Sequence, residues 1–420
     1  MKKKGLIIGG IVTIVLVILA VATLVVIKLM DVSTTYEENS DDSTFSTAFI
    51  RKSHANAKDK NYMISPYSVE IALSMLRDGT KGTTYDEINK VAPKRTIKTL
   101  KVKDKVNVAN AIFIKEQYKK DVRKDYSNNL KENYNADFIY DEFKTPAAIN
   151  KWADKETNGM IKNVLDDISS DFVLGLANAI AMEEEWQTPF ECETTLKKEF
   201  TPINGKKYDV SMMRKSFDSN VSYYKDDEAE AVVMPYKYYN RKTGKEIETS
   251  DNGEQLEFIG ILPNDINEYI GNLDLSKIEE IDKKKRTATE EELEIYVEMP
   301  KFEYSYNFLD FKKTLMDMGI KTVFSPTNAD LSGMLDNHPD SYVDEAVHKS
   351  YVKVDESGTK AAAITFFGTK DNAAPPSGKE FINIVFDKPF IFIIKDTKTN
   401  EIAFFGVVYK PNKYEKTSCK

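Results

Sequence analysis

The chain has 420 residues, 41% hydrophobic and 30% charged, with 22 Phe, 22 Tyr, 2 Cys and 3 His. That much apolar material fills a large core and excludes global disorder, while two cysteines exclude a disulfide scaffold or a thiolate zinc cluster. Three histidines leave little for a His-rich metal site, and a net charge of −8 argues against a nucleic-acid binder.

Met1-Lys2-Lys3-Lys4 opens the chain, and Gly5 to Ile27 are 23 consecutive uncharged positions. A helix of that length spans about 35 Å, enough to cross a hydrocarbon core. Cleaved secretory signals have a shorter apolar run, of about 7–15 residues. Ala20-Val21-Ala22 resembles a cleavage site, but the apolar run continues from Thr23 to Ile27, and no cysteine lies there to take a lipid. The pattern predicts a retained signal-anchor over residues 1–30, with a cleaved signal peptide or a membrane-independent apolar helix as alternatives. Lys2, Lys3 and Lys4 would stay cytoplasmic, which puts everything after Lys28 outside the cell. Without those four lysines the chain holds 55 basic and 67 acidic residues, a charge of −12 that favours solubility over adsorption to anionic lipid. Asp31 to Ser43 carries five acids and no base. It reads as a solvated tether, the alternative being a charged cap on the first helix of the domain.

Residues 44–411 show no linker, repeat or break in composition, and a short tail follows over 412–420. Ser65 and Pro66 predict a capped start to a helix over Tyr67–Asp78. A strand pattern follows at Val106–Ile114, then a helix over Ala147–Leu165 with Ile149, Trp152, Ala153 and Met160 on one face. Later strand patterns lie at Leu174–Met182, Ala231–Met234, Leu256–Leu262, Leu293–Met299, Ile382–Phe386, Phe390–Ile394 and Ile402–Val408. Helices and strands mix without the regular alternation of a parallel α/β fold, so the expectation is one large α+β domain. Asp371 to Glu380 (DNAAPPSGKE) has strong loop chemistry far from either boundary.

The catalytic inventory is close to empty. No GxSxG, HExxH, P-loop or GxGxxG occurs. His54 and His338 sit in polar stretches and read as solvated, while His348 lies among apolar residues and reads as a buried, satisfied histidine. Glu183-Glu184-Glu185 reads as a surface acidic run. Cys192 and Cys419 read as two free thiols, with a bridge between them as the alternative. No cofactor or metal is expected.

Asp355 to Thr365 is physically odd. It leads from a strand-like segment, Ser350–Val354, towards the long loop, and its alternate positions Thr359, Ala361, Ala363 and Thr365 are small. Extended, it has one nearly flat face and could slide between two strands without overpacking. An Ala-rich helix over Lys360–Ala363 is the alternative.

Glu356-x-Gly358-Thr359-x-Ala361-Ala362-Ala363-x-Thr365 resembles the hinge of inhibitory serpins, the serine protease inhibitor family. The resemblance runs in order along 44–411. Asn61 to Ser68 (NYMISPYS), Ala72-Leu73-Ser74-Met75 and Gly79 to Thr84 (GTKGTT) resemble the family's N-terminal signature. Ile149-Asn150-Lys151-Trp152 with Thr157-Asn158-Gly159-Met160-Ile161 is similar to its second helical signature, and Leu176-Ala177-Asn178-Ala179 with Trp186 to Phe190 (WQTPF) to its central strand. Met318-Gly319-Ile320, Phe324-Ser325 and Ala329 to Met334 (ADLSGM) match the next block, and Asp387 to Phe392 (DKPFIF) with Phe405 to Val408 (FGVV) the last strands.

The resemblance implies a single domain of three β-sheets and eight or nine helices with an exposed reactive loop, here preceded by one transmembrane helix. A target protease, most readily of the serine class, would attack one bond of that loop and form an acyl-enzyme. The cut loop would then enter the largest sheet as a new strand and drag the protease with it, distorting its active site before water can deacylate it. The chain would thus be an inhibitor, not an enzyme. Carried over residue by residue, the hinge is Glu356, Gly358, Thr359, Ala361, Ala362, Ala363 and Thr365. The attacked bond is Asn372–Ala373, with Pro375-Pro376 behind it and Asp371 and Ala373 as neighbouring candidates for the residue before the cut. A cut after Ala373 would suit an elastase-like enzyme and one after Lys370 a trypsin-like one. Ser65, Ser68, Asn178 and His348 match the buried cluster that controls sheet opening, and Trp186 the point of loop entry. Lys360, Ile364 and Phe366-Phe367 depart from the pattern, and Phe367, facing inward, would slow insertion. The expected partners are a target protease and, through residues 5–27, the membrane; the domain would be an extracellular monomer that binds no nucleic acid. The lysine-rich start and scarce cysteine suit a bacterium with a single membrane. The alternative is a non-inhibitory serpin acting as a surface binding or adhesion module; a surface hydrolase would need a nucleophile–base pair that is lacking.

Overall fold

Phe390–Ile394 and Ile402–Val408 have no polar face, so as strands they must be covered on both sides. The molecule is built around them. The computed structural model describes residues 44–57, 59–95, 97, 99–203, 205–248, 255–337, 341–344, 346–359, 379–416 and 419. Among these are eight α-helices: α1 (Phe45–Ala57), α2 (Pro66–Asp78), α3 (Gly82–Val91), α4 (Lys124–Tyr134), α5 (Ala147–Glu156), α6 (Ile266–Gly271), α7 (Leu275–Lys284) and α8 (Phe311–Asp317). The strands of the first half are β1 (Tyr62–Ile64), β2 (Val106–Lys115), β3 (Ala136–Asp141), β4 (Leu174–Met182), β5 (Glu184–Glu185), β6 (Leu196–Phe200) and β7 (Tyr208–Phe217). Those of the second are β8 (Ser222–Lys225), β9 (Ala229–Pro235), β10 (Leu256–Pro263), β11 (Arg286–Thr287), β12 (Leu293–Pro300), β13 (Phe302–Asn307), β14 (Lys349–Val354), β15 (Gly358–Thr359), β16 (Glu380–Val385), β17 (Phe390–Asp396) and β18 (Ile402–Val408).

The central sheet has the order β1-β18-β17-β10-β9-β8-β11, and every residue of β17 and β18 is buried. A second sheet, β16-β12-β7-β6, carries the parallel pair β12–β16 beside antiparallel neighbours. The remaining strands form two groups, β3-β2-β4 and β13-β14-β15-β5. Four hydrogen-bonded groups thus stand where the resemblance implies three sheets. The physical reason lies in one break. β4 and β5 are a single run of chain interrupted only at Glu183; beyond it β5 is joined to β14 through β15, but along β4 itself no ladder reaches β14 among the described residues. A cavity of about 920 Å³, lined by β4, the 346–351 segment, α2 and α5, occupies the place of the missing ladder.

Two helices frame that cavity. α2 starts as the sequence predicts: Ser65 Oγ accepts from the Ser68 N–H (3.1 Å), and Pro66 occupies the first turn, where no N–H is needed. α5 is shorter than the predicted Ala147–Leu165 helix and stops at Glu156. Thr157 Oγ1 donates to Ala153 O (2.6 Å), and Asn158 (φ 51°) and Gly159 (φ 79°) turn left-handed, ending the helix. The freed segment folds back on α5, where Asn150 Oδ1 accepts from the N–H groups of Val164 (2.7 Å) and Leu165 (3.0 Å). Ile149, Trp152 and Ala153 of α5 then pack on Ala111, Phe113 and Ala179 of β2 and β4, a cluster separate from the main core. No described helix is long and apolar enough to cross a membrane. The expected anchor at 5–27 and tether at 31–43 lie outside the described residues.

Candidate functional site

The polar residues singled out in the sequence meet at the middle of the cavity. Ser65 and Ser68 come from the start of α2, Asn178 from β4, and His348 precedes β14. Ser65 Oγ donates to Ala403 O of β18 (2.7 Å), and the Ser65 N–H donates to His348 Nε2 (3.1 Å). Ser68 Oγ donates to Asn178 Oδ1, and Asn178 Nδ2 donates to Asn110 Oδ1 (2.6 Å), whose own amide reaches Tyr134 O (2.6 Å). This network spans α2, β18, β4 and β2 and touches the chain entering β14. His348 is buried among Phe49 and Phe311, and that burial pushes its pKa down to about 4. The ring is therefore neutral at pH 7 and can accept at Nε2. Asn110 was not legible as part of this set, since an Asn amid an apolar strand gives no sign of its partner.

At the other end of the missing ladder lies the segment expected to be the hinge. β14 turns at Glu356-Ser357, closed by the pair Asp355 N–H to Gly358 O (3.0 Å) and Gly358 N–H to Asp355 O (3.3 Å). The returning β15 pairs Thr359 with Val354 on one side, and Gly358 with Glu185 and Thr359 with Glu184 on the other. Two hinge residues thus already stand as a strand between β14 and β5. Gly358 has φ 156°, and a Cβ there would press on the Glu184 carbonyl and lie 2.8 Å from Glu185 Cα, so only glycine fits this approach. Thr359 is 5% exposed, with Oγ1 hydrogen-bonded to Tyr236 OH (2.6 Å). Glu356 accepts from Thr195 Oγ1 (2.8 Å) and pairs with Lys301 Nζ (2.9 Å).

Trp186, 1% exposed, follows β5 directly. Its N–H donates to Ser357 O (2.9 Å) and its indole Nε1 to Asp355 O (3.1 Å), while the ring stacks on Tyr236 at 4.6 Å. Phe190 N–H binds Glu356 O (2.9 Å). Glu356, Gly358, Thr359 and Trp186 are therefore one assembly, whereas Ala361, Ala362, Ala363, Thr365 and the bond Asn372–Ala373 lie outside the described residues.

Four sequence readings need correction or placement. Cys192 and Cys419, read as free thiols, form a disulfide with Cα atoms 5.7 Å apart. The tail brings them together. Lys413 bridges to Val210, Tyr414 N–H donates to Asp209 O (2.8 Å) and Ser211 Oγ donates to Glu415 O (3.2 Å), laying residues 413–415 along β7. Glu184, read as part of a surface run, is 2% exposed, because a strand turns its middle acid inward while Glu183 and Glu185 point the other way. His54 is not solvated but half-buried: Nε2 donates to Asn267 Oδ1 (2.9 Å) and Nδ1 accepts from Tyr62 OH (3.0 Å). His338 lies outside the described residues.

The family model described as Serpin (serine protease inhibitor) matches residues 40–411. An uncharacterised serpin-like protein of Thermococcus kodakarensis is 30% identical over 376 residues, covering 84% of this chain and 81% of its own length. The leukocyte elastase inhibitor of Xenopus tropicalis is 27% identical, covering 87% of this chain and 97% of that protein. Among solved structures, the native state of the thermophilic serpin tengpin matches with a TM-score of 0.72 at 28% identity, over 90% of this chain and 96% of that one. With these matches running through the slot, the polar cluster and the hinge alike, the chain belongs to the serpin family, whose members are in general protease inhibitors rather than enzymes.

Proposed function

We propose that the protein is a suicide-substrate inhibitor of serine proteases. The observation that carries this reading is the pre-set hinge: Gly358 and Thr359 already form a strand between β14 and β5, in line with the open slot between β4 and β14. The segment behind them has the small alternate residues such a slot accepts. In the reaction, the protease's own serine Oγ attacks the carbonyl carbon of Asn372. The Asn372–Ala373 amide breaks, Ala373 leaves as a free amine carrying the proton delivered by the protease, and an ester joins Asn372 to the enzyme. Residues 360–372 then add as a strand about 43 Å long, against about 30 Å for the nine residues of β4. The enzyme is carried past the end of β4 before hydrolysis. The free-energy source is the ladder that β4 and β14 lack until the strand arrives. Ser65, Ser68, Asn178 and His348 would hold the slot's two sides until then, and Trp186 would set the point of entry.

We place the domain outside the cell, held by residues 5–27, with secretion after signal cleavage as the alternative. The uncharged run of 23 residues behind three lysines supports the anchor, and the Cys192–Cys419 disulfide suits an oxidising compartment. A bacterial source with a single membrane is part of the same proposal. The test mixes the full-length protein with trypsin, pancreatic elastase and subtilisin and looks for a denaturant-resistant covalent complex. A chain cut in its loop by all three, with each enzyme left active, would favour the binding-module alternative.

A further inference from the structure

Glu184 has no place in the reaction as described, yet it sits under the hinge. It is 2% exposed, its backbone pairs with Thr359, and its Oε2 has no hydrogen-bond partner. The hydroxyl of Tyr239 nearby is likewise buried. Each element around the carboxyl contributes a known set of groups. Lys105, just before β2, supplies positive charge, but its Nζ is also turned to Glu185 (3.5 Å) and over the Tyr239 ring (4.5 Å). On its own strand, Glu185 is held by Lys237 (2.8 Å). The chain after β9 supplies the phenols of Tyr236 and Tyr239. The hinge hairpin brings the Thr359 hydroxyl, with Asp355 and Glu356 at its turn beside Lys353 (3.9 Å) and Lys301 (2.9 Å).

A carboxylate here lacks the hydrogen bonds that a buried charge needs, whereas a carboxylic acid is tolerated. Burial pushes its pKa well above the usual carboxylate range, with Lys105 acting against this and Glu185 adding to it. Thr359 lies directly beside Glu184 across the β5–β15 pair, so departure of β15 would open this side of the carboxyl to water. We propose that Glu184 is a proton-operated latch: protonated, it keeps Gly358 and Thr359 docked, and its ionisation expels them and frees the loop. The latch stands on the hinge geometry alone; its consequence for inhibition rests on the function proposed above.

The sign follows from linkage. The docked state binds the proton more tightly, so docking is strongest at low pH and weakens as pH rises through the docked pKa, by up to about tenfold per unit between docked and free values. The test is hydrogen exchange on the full-length protein, without protease, at Trp186, whose N–H donates to Ser357 O of the docked hairpin. Wild type is compared with Glu184→Gln at each pH, so that intrinsic exchange cancels. As pH rises above the ordinary carboxylate range the wild-type rate should climb relative to the variant, about tenfold for each unit by which docking raises the group's pKa. A constant ratio overturns the latch. Glu184→Ala, which also cannot titrate, serves as reference should the Gln variant misfold. Loss of trapping activity would sink the inhibitor reading while leaving the exchange result intact, so the two failures are distinguishable.

Discussion

Acid should loosen the polar cluster through one residue, His348. Only its neutral ring accepts the Ser65 N–H (3.1 Å); a protonated ring would turn a donor towards that donor. Burial lowers the pKa to about 4 from an ordinary 6.5. The unfolded chain therefore takes up a proton near pH 6.5 that the folded chain refuses until about pH 4, so stability falls as pH drops through that window and is unaffected above it. The separation of 2.5 units corresponds to about 3 kcal/mol when fully developed. The assay is urea unfolding of wild type and His348→Gln from about pH 7 to about pH 4, the range in which this group responds. Gln can still accept the Ser65 N–H but cannot titrate, and acid effects from carboxylates are common to both proteins. The stability difference between the two should move in favour of the variant by about 3 kcal/mol over that range. Parallel loss in both proteins would refute the assignment of His348 as a buried neutral acceptor.

Two further outcomes are expected. Reducing the disulfide, or replacing Cys192 or Cys419 by Ser, should cost about 2–5 kcal/mol, since the bridge closes a sequence separation of 227 residues in the unfolded chain; unfolding midpoints that ignore reductant would contradict this. Thr359→Arg has to bury a cation where a 5% exposed hydroxyl meets Tyr236, so trapping should give way to turnover of the chain as a substrate. An unchanged yield of covalent complex would show that Thr359 does not enter the sheet.

The all-apolar strands and the helix opened by Ser65 and Pro66 were legible because pattern and capping act locally. The end of α5 was also written locally, in Asn158-Gly159, but helical periodicity through Met160 outweighs it when read along the chain. Glu184 shows how context reverses composition: three acids in a row look solvated until a strand's two-residue period points the middle one inward. The Cys192–Cys419 bridge was beyond reach, because its geometry depends on where a tail crosses β7, and no local spacing records that. The partners of the hinge, Tyr236, Lys301 and Thr195, were hidden for the same reason.

Because Cys192 lies before the loop and Cys419 after it, the disulfide turns more than half of the chain into a closed ring that contains the proposed target bond, Asn372–Ala373. Opening that bond linearises the ring and releases nothing. The 48 residues from Ala373 to Lys420 stay covalently attached even in denaturant, and they separate only when a reductant is added as well. A trapped protease would therefore carry the whole inhibitor on a non-reducing gel and a shortened one on a reducing gel. If the anchor holds the other end, neither half of a spent molecule drifts away from the cell.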